Sequence, residues 1–281
     1  MVFLHQTEIM IFFPNAKINI GLRITGKRPD GYHDIETVFY PVGLSDALEF
    51  VISGQSVKKD ILKVTGIDTG GEPESNLVIK TINRLREKNS FPVLKIHLHK
   101  VIPVGSGLGG GSSDAACLLK VINRYFKLNI DDPDLKVLAL ELGSDCPFFI
   151  DCIPSYARGR GEILTPVNPV LSGYYLVLIN PGVGINTGEA YKYSNPELPS
   201  ASLLQLIERP LIKWKEFIIN DFEAYAFRKY PVLGNIKEEL YKSDALFSLM
   251  SGSGSSVYGI FSEKPKLPLK LREFVIWEGN L

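Results

Sequence analysis

Between Ile102 and Ala116 the chain carries five glycines within seven positions, Gly105, Gly107, Gly109, Gly110 and Gly111, followed at once by Ser112 and Ser113. Glycine adds no side-chain packing and loses the most backbone entropy on folding, so this density marks tight bends or a close approach to backbone amides. The residues from Ser112 to Phe126 read as an amphipathic helix. A glycine-rich loop that opens a helix presents unpaired N–H groups and the positive end of the helix dipole. That is an anion site, and phosphate is its usual anion.

Three phosphate loops compete for this stretch. Gly105, Gly107 and Gly110 fit the dinucleotide pattern G-x-G-x-x-G, which needs a continuously apolar strand before it and a carboxylate about 20 residues after it. Instead, Val93 to Val101 alternates, with Ile96 and Leu98 set against His97 and His99, Pro103 interrupts the approach, and no well-placed carboxylate follows. A Walker A loop fails because no lysine follows the glycines. Gly21 to Arg28 is a near miss to the same motif, with Arg28 where a hydroxyl should stand. What fits is a triphosphate loop served by backbone amides and the hydroxyls of Ser112 and Ser113.

Other residues could complete phosphoryl transfer. Ala16 to Ile24 alternates strictly, which predicts a strand with Ala16, Ile18, Ile20, Leu22 and Ile24 inside and Lys17, Asn19 and Arg23 on a polar face. Lys17 and Asn19 on one rigid face could hold a substrate oxygen. Asp145 stands in Gly143-Ser144-Asp145-Cys146-Pro147, between a helix end and a short apolar run read as a strand; it is either a self-capping turn residue or a carboxylate held at a rigid junction. Pro29-Asp30-Gly31 is a turn sequence that places Tyr32 and His33 just past its tip, as a plain turn or as a site for a flat ring. Transfer of a phosphoryl group needs in-line positioning, charge neutralisation and an acceptor for a hydroxyl proton, and Asp145 with Lys17 could supply the last two. His97 and His99 share a strand face, but no third metal ligand can be named, and no metal site is assigned.

Composition sets the limits. In 281 residues, Lys plus Arg and Asp plus Glu are both 31, so the chain has no basic field for non-specific nucleic-acid binding. Cys117, Cys146 and Cys152 have neither disulfide-framework nor C-x-x-C spacing, as expected of a cytoplasmic protein. Met1 to Phe13 lacks a basic leader and is not read as a signal peptide, and no apolar run approaches the ~20 residues of a membrane span.

Strands are expected at Thr37–Val42, Leu48–Ile52, Ile61–Val64, Tyr174–Ile179 and Phe274–Trp277. Helices are expected from Asn76, which caps the first, to Lys88, and over Asp132–Leu142, Thr187–Tyr193, Ser202–Ile207, Asp221–Phe227 and Leu233–Lys242. A second small-residue turn lies in Ser251–Ser256, between two strands. The alternation indicates an α+β chain in two domains, 1–160 and 161–281.

Pro103, Gly107-Leu108-Gly109, Ser112-Ser113 and Ala115-Ala116 together resemble the ATP-binding signature of the GHMP kinases. The likeness continues through Ala16-Lys17-Ile18-Asn19, Asp30-Gly31-Tyr32-His33, Gly143-Ser144-Asp145-Cys146-Pro147, Gly161-Glu162-Ile163-Leu164, Pro181-Gly182-Val183 and Gly252-Ser253-Gly254. Asp-Gly-Tyr-His points, within that family, to members acting on a cytidine-bearing substrate of non-mevalonate isoprenoid synthesis. The resemblance implies an N-terminal half like ribosomal protein S5 domain 2 and a ferredoxin-like C-terminal half. It implies ATP and Mg²⁺ as cofactors and transfer of the γ-phosphate to the tertiary C2 hydroxyl of a small cytidine-diphosphate substrate. Lys17 and Asp145 would be the catalytic pair. Pro103, Val104, Gly105, Ser106, Gly107, Leu108, Gly109, Gly110, Gly111, Ser112 and Ser113 would hold ATP, with Asn76 and Lys100 at its adenosine. Asn19 would meet the methylerythritol end, Tyr32, His33 and Tyr191 the cytosine, and Thr187 the pocket wall. Such an enzyme needs neither nucleic acid nor membrane and would be a monomer or weak homodimer. Two departures stand out: Asp114 replaces a small residue common in the family, and Ser255-Ser256 follow Gly252-Ser253-Gly254 where Gly-Thr-Gly-Ala is usual.

Overall fold

The computed structural model describes residues 10–54, 57–194 and 196–281. Most of the stretch Met1 to Phe13 therefore lies outside the described residues. The chain divides into two compact units that interleave along it. Unit 1 comprises the described residues up to Asn15, then Leu44–Val104 and Gly110–Asp151; unit 2 comprises Ala16–Gly43, Gly105–Gly109 and Cys152–Leu281. The sequence boundary near residue 160 follows the chain in linear order, whereas these units do not.

Unit 1 is built on a four-stranded sheet. Its strands are β1 (Met10–Phe12), β4 (Ala47–Ile52), β5 (Ile61–Gly66) and β6 (Leu94–Lys100), in the order β1-β4-β6-β5. β4 runs antiparallel to β6, with Leu48 opposite Leu98 and Phe50 opposite Ile96. β5 runs parallel to β6, so the chain must cross over between them, and helix α1 (Leu77–Arg86) does so. Helices α2 (Gly110–Tyr125), α3 (Asp132–Leu142) and α4 (Cys146–Asp151) complete the unit.

Local chemistry fixes these elements. Asn76 caps α1 by accepting from the Val78 amide at 2.9 Å, and Asp131 caps α3 through the Asp134 amide at 2.9 Å. Along β6 the strand period buries Leu94, Ile96, Leu98 and Lys100 while Lys95 and His99 face outward. α2 begins inside the glycine run, two residues before Ser112. The apolar run after Asp145 is the helix α4, not a strand: Pro147 lies in its first turn, where its missing N–H costs nothing, and a run this short has no diagnostic period.

Unit 2 contains two four-stranded sheets. The first orders β2 (Asn15–Lys27), β3 (His33–Ser45), β7 (Ser155–Arg158) and β8 (Ile163–Pro166) in sequence. The second, of β9 (Tyr175–Ile179), β10 (Phe247–Met250), β11 (Val257–Phe261) and β12 (Val275–Asn280), is antiparallel in the order β10-β11-β9-β12. Helices α5 (Thr187–Lys192), α6 (Leu203–Leu206), α7 (Glu223–Lys229), α8 (Pro231–Lys242) and α9 (Leu269–Arg272) join these strands. Their core gathers Leu22 and Ile24 of β2, Val177 and Ile179 of β9, Phe222, and Leu233, Ile236 and Leu240 of α8. Mixed sheets and helices in both units make the chain α+β, and no helix among the described residues is long and apolar enough to cross a membrane.

The polar face of β2 is buried. Lys17 and Asn19 are 3% and 1% exposed, and Arg23 is held by the carbonyls of Ala201 at 2.6 Å and Phe217 at 2.9 Å. Alternation gives which residues share a face; whether that face is wet depends on chain more than a hundred residues away.

Leu48 is fully buried in the unit 1 sheet. Leu48→Ala should cost about 2–5 kcal/mol, the range for emptying a leucine-sized volume. The fall should appear in the urea midpoint with the denaturant slope unchanged; an unmoved midpoint would show that the site is not a packed core.

Candidate active site

Unit 2 organises its candidate residues around Lys17. Its Nζ donates to Asn19 Oδ1 at 2.6 Å and to the Gly107 carbonyl at 3.1 Å, and it lies 4.9 Å from the centre of the Phe39 ring. The i, i+2 spacing on a strand brings Lys17 and Asn19 to one face. Asn19 is fixed in turn: its Nδ2 donates to Thr37 Oγ1 at 2.9 Å, and Thr37 donates to the Gly21 carbonyl at 2.5 Å. A buried ammonium needs oxygens around it, and this chain of bonds orients one of them.

The glycine segment Gly105–Gly109 packs within the same unit. Its Leu108 carbonyl accepts from the Lys17 amide at 3.0 Å, and the Ser106 carbonyl accepts from the Ser256 amide at 3.0 Å. Ser251 Oγ donates to the Gly107 carbonyl at 2.9 Å, and Asn220 Nδ2 donates to the carbonyls of Met250 and Gly252, both at 2.8 Å. Gly107 has φ +80° and approaches so closely that a Cβ there would lie 1.9 Å from the Ser251 carbonyl oxygen. The second small-residue turn is thus the bed on which the glycine loop lies. Ser251, Thr37 and Asn220 were not singled out by the sequence; the small residues of 251–256 were the one signal pointing there.

The Tyr32-His33 turn is built as its sequence predicts. The Arg28 amide donates to the Tyr32 carbonyl at 2.8 Å, and the Tyr32 amide donates to Asp30 Oδ1 at 3.1 Å, holding the Asp30 carboxyl below the usual range. Tyr32 is 53% exposed, with the Arg160 guanidinium 4.8 Å from its ring centre. His33 stacks on Tyr191 with ring centres 4.7 Å apart and planes at 15°, while the edge of Tyr191 meets Phe222 at 4.9 Å. Thr187 opens α5 one turn before Tyr191, and its hydroxyl lies 2.9 Å from Ser253 Oγ.

Unit 1 holds the remaining candidates. Asp145 is half-buried at the junction where α3 ends and α4 begins, a turn closed by the Cys146 amide donating to the Gly143 carbonyl at 3.1 Å. A Cβ on Gly143 would lie 3.8 Å from Ser112 Oγ, so the Asp145 junction sits beside the first turn of α2. Ser113 is buried there, and Asn76-Leu77 is close by, with Leu77 Cδ1 3.7 Å from the Cβ position of Gly111. Burial pushes the Cys146 thiol up to about 12, with a further push from Asp145, so it stays protonated and is no nucleophile. Pro103 is half-buried and Val104 is exposed. Lys100 does not present its charge to solvent: it is 3% exposed, with its ammonium between the carboxylates of Asp46 and Asp114.

His97 and His99 are hydrogen-bonded within the sheet of unit 1. Their rings meet Thr65 Oγ1 at 2.7 and 3.0 Å, His97 Nδ1 lies 2.9 Å from Glu49 Oε1, and no group of three or more His, Cys, Asp or Glu among the described residues could hold a metal ion.

The tight packing at Gly107 makes a paired test. Gly105→Ala, with φ +63° but nothing within 4 Å of the added methyl, should cost only about 1–2 kcal/mol for the left-handed backbone. Gly107→Ala adds the collision with Ser251 and should lower the melting temperature distinctly further; equal shifts would mean that the loop does not rest on Ser251.

The model of the GHMP kinases N terminal domain matches residues 76–152, and that of the GHMP kinases C terminal matches 204–275. A 4-diphosphocytidyl-2-C-methyl-D-erythritol kinase of Bacteroides fragilis is 50% identical over 258 residues, covering 92% of this chain and 94% of its own. One from Parabacteroides distasonis is 47% identical over 275 residues, covering 97% of this chain and 100% of its own. A crystal structure of 4-(cytidine 5'-diphospho)-2C-methyl-D-erythritol kinase superposes with a TM-score of 0.73 at 30% identity, over 89% of this chain and 90% of that one. The chain belongs to the GHMP kinases and, among them, to the family of these erythritol kinases.

Proposed function

We propose that this kinase transfers the γ-phosphate of ATP to the C2 hydroxyl of 4-diphosphocytidyl-2-C-methyl-D-erythritol. The observation that carries the reading is the position of the Asp145 junction beside Ser112, on the first turn of the helix that the glycine loop opens. A helix N-terminus favours phosphate, and a carboxylate next to it is suited to take the proton of an attacking hydroxyl. Asp145 accepts that proton as the hydroxyl oxygen bonds to the γ-phosphorus and the bond to the β–γ bridging oxygen breaks, releasing ADP. Lys17 supplies positive charge toward the developing alkoxide, with its ammonium oriented by Asn19 and the Gly107 carbonyl.

Residues 103–113 hold the triphosphate through backbone amides and the Ser112 and Ser113 hydroxyls, with Asn76 and Lys100 near the adenosine. Tyr32 and Tyr191 stack on the cytosine, His33 hydrogen-bonds its edge, Asn19 meets the methylerythritol end, and Thr187 lines the pocket. The stack of His33 on Tyr191 and the exposure of Tyr32 support these roles. Magnesium accompanies ATP. Nucleotide phosphates and water supply most of its ligands, so the want of a carboxylate or histidine cluster among the described residues is compatible with it, and no protein ligand is assigned. The enzyme would act in the cytoplasm, as a monomer or weak homodimer.

ATP consumption should be measured with the cytidine-diphosphate substrate and, in parallel, with mevalonate, homoserine and galactose. Turnover with one of the latter three alone would overturn the substrate assignment, and none with any would leave a nucleotide-binding protein. Asp145→Asn should lower kcat by about 10²–10⁴, the range for losing a general base, with the KM for ATP little changed. An unaltered kcat would remove Asp145 from that role. His33→Ala should raise the KM for the cytidine substrate; a change confined to the KM for ATP would contradict the cytosine assignment.

A further inference from the structure

Three charged side chains of unit 1 meet in its interior, and of them only Lys100 has been given a place above, near the adenosine. The strand period that buries Leu94, Ile96 and Leu98 carries on to Lys100, so β6 ends with its lysine facing the core. There the Lys100 ammonium ion-pairs with Asp46 and donates to Asp114 Oδ2 at 2.7 Å. Asp46 is fully buried and comes from the turn between β3 and β4; Asp114 is 2% exposed and sits in the first turns of α2. Asp46 Oδ1 also accepts the amides of Val101 at 2.5 Å and Ile102 at 2.8 Å. The start of α2 is drawn in against the same point: a Cβ on Gly110 would lie 2.8 Å from Ile102 Cγ2 and 3.2 Å from Lys100 Nζ.

These contacts fall at the two ends of the glycine loop. Residues 100–102 lead into it, Gly110 to Asp114 lead out, and both flanks belong to unit 1 while Gly105–Gly109 belongs to unit 2. We infer that Asp46 and Asp114, bridged by Lys100, are positioning residues for ATP: the triad pins entrance to exit and so fixes where the phosphate-binding amides stand. The ammonium of Lys100 is neutralised inside unit 1, and its part in nucleotide binding is played through this pin, without contact with a phosphate. The inference rests on the assignment of residues 103–113 to ATP.

The triad has a charge state as well as a shape. With both carboxylates ionised it carries one negative charge in excess; with a proton on Asp114 it is neutral. The charged groups acting on Asp114 are Lys100 and Asp46. Burial pushes its carboxyl up to about 7; Lys100 opposes this, and Asp46, within hydrogen-bonding reach, adds to it. Asp114 Oδ1 is buried and has no hydrogen-bond partner, so charge on an ionised Asp114 is left uncompensated at that oxygen. Ionising Asp114 therefore sets an uncompensated anion in the helix whose N-terminus must take the triphosphate, and ATP binding weakens as pH rises through that titration.

The test compares wild type with Asp114→Asn, a neutral side chain of the same shape, through the KM for ATP and for the cytidine substrate between about pH 6 and about pH 8.5. The ATP molecule's own ionisation is common to both proteins and cancels in their ratio. The wild-type to variant ratio of KM for ATP should climb with pH, by roughly threefold or more for one added charge at this depth. The ratio for the cytidine substrate should stay within about twofold, the spread of an uncoupled site. Asp46→Asn should raise the KM for ATP at every pH, because the two amides after Lys100 lose a charged acceptor.

Stability gives a second readout with its own sign. The folded state keeps the Asp114 proton between about pH 4 and about pH 7, where the unfolded state has released it, so this group's contribution to stability falls as pH rises through that window. Melting of Asp114→Asn should lack that fall. A ratio of KM for ATP that is flat with pH overturns the inference, and if Asp46→Asn does not fold, the Asp114 comparison still decides. No saturable dependence on ATP in the wild type would instead overturn the ATP assignment.

Discussion

A buried ammonium ion is tolerated only where oxygens replace the water it gives up, and two lysines of this chain, Lys17 and Lys100, are buried to 3% exposure. Each lies on a strand, at a position that the pleat turns inward. The rest of each unit is arranged to supply those oxygens. Unit 1 brings two carboxylates to Lys100, and in doing so pins β6 to α2. Unit 2 brings the Asn19 amide and the Gly107 carbonyl to Lys17, and in doing so pins β2 to the glycine loop. In both cases, the cost of burying a charge fixes a backbone segment beside the glycine run.

This arrangement explains why the glycine run has the pattern it has. Gly107 is where the loop meets the Ser251 carbonyl, with no room for a methyl group, and Gly110 is where α2 meets Ile102 and the Lys100 ammonium. The two glycines answer to different neighbours, one in each unit. A loop needed only for flexibility would tolerate alanine at either. Here the glycines permit backbone and polar groups to approach closely on both flanks, which leaves the amides at the helix start with little freedom to move.

Most elements could be read from local pattern because their causes are local. Asn76 and Asp131 cap their own helices, Pro29-Asp30-Gly31 makes its own turn, and the alternation of β6 survives intact in its burial. What local pattern leaves open has a different cause. The wetness of the β2 face is decided by partners such as Ser251, 232 residues from Asn19, and no window on β2 contains that information. The run after Asp145 is too short for its period to separate helix from strand, and Pro147 in a first turn settled it. Lys100 was assigned to adenosine by resemblance alone; its carboxylate partners lie 54 and 14 residues away, on a turn and a helix that no spacing rule connects. Asp114 was visible as a departure from the family pattern, but its reason is the lysine it faces.

The family matches divide the chain in a way that bears on specificity. The N-terminal model, residues 76–152, contains the glycine loop, Ser112, Ser113, Asp145 and the Lys100–Asp114 pair, whereas the C-terminal model begins at 204. Asn19, Tyr32, His33, Thr187 and Tyr191, all proposed to touch the acceptor, lie outside both. Most residues proposed to hold phosphate thus lie inside the N-terminal match, with Lys17 an exception, and those proposed to recognise cytosine lie outside both. His33 and Tyr191 come from a strand start and a short helix that meet through a stacked pair of rings. A scaffold that held its phosphate residues by buried charge, with most of its proposed acceptor residues on turns and at helix ends, would be able to exchange acceptors while keeping one reaction.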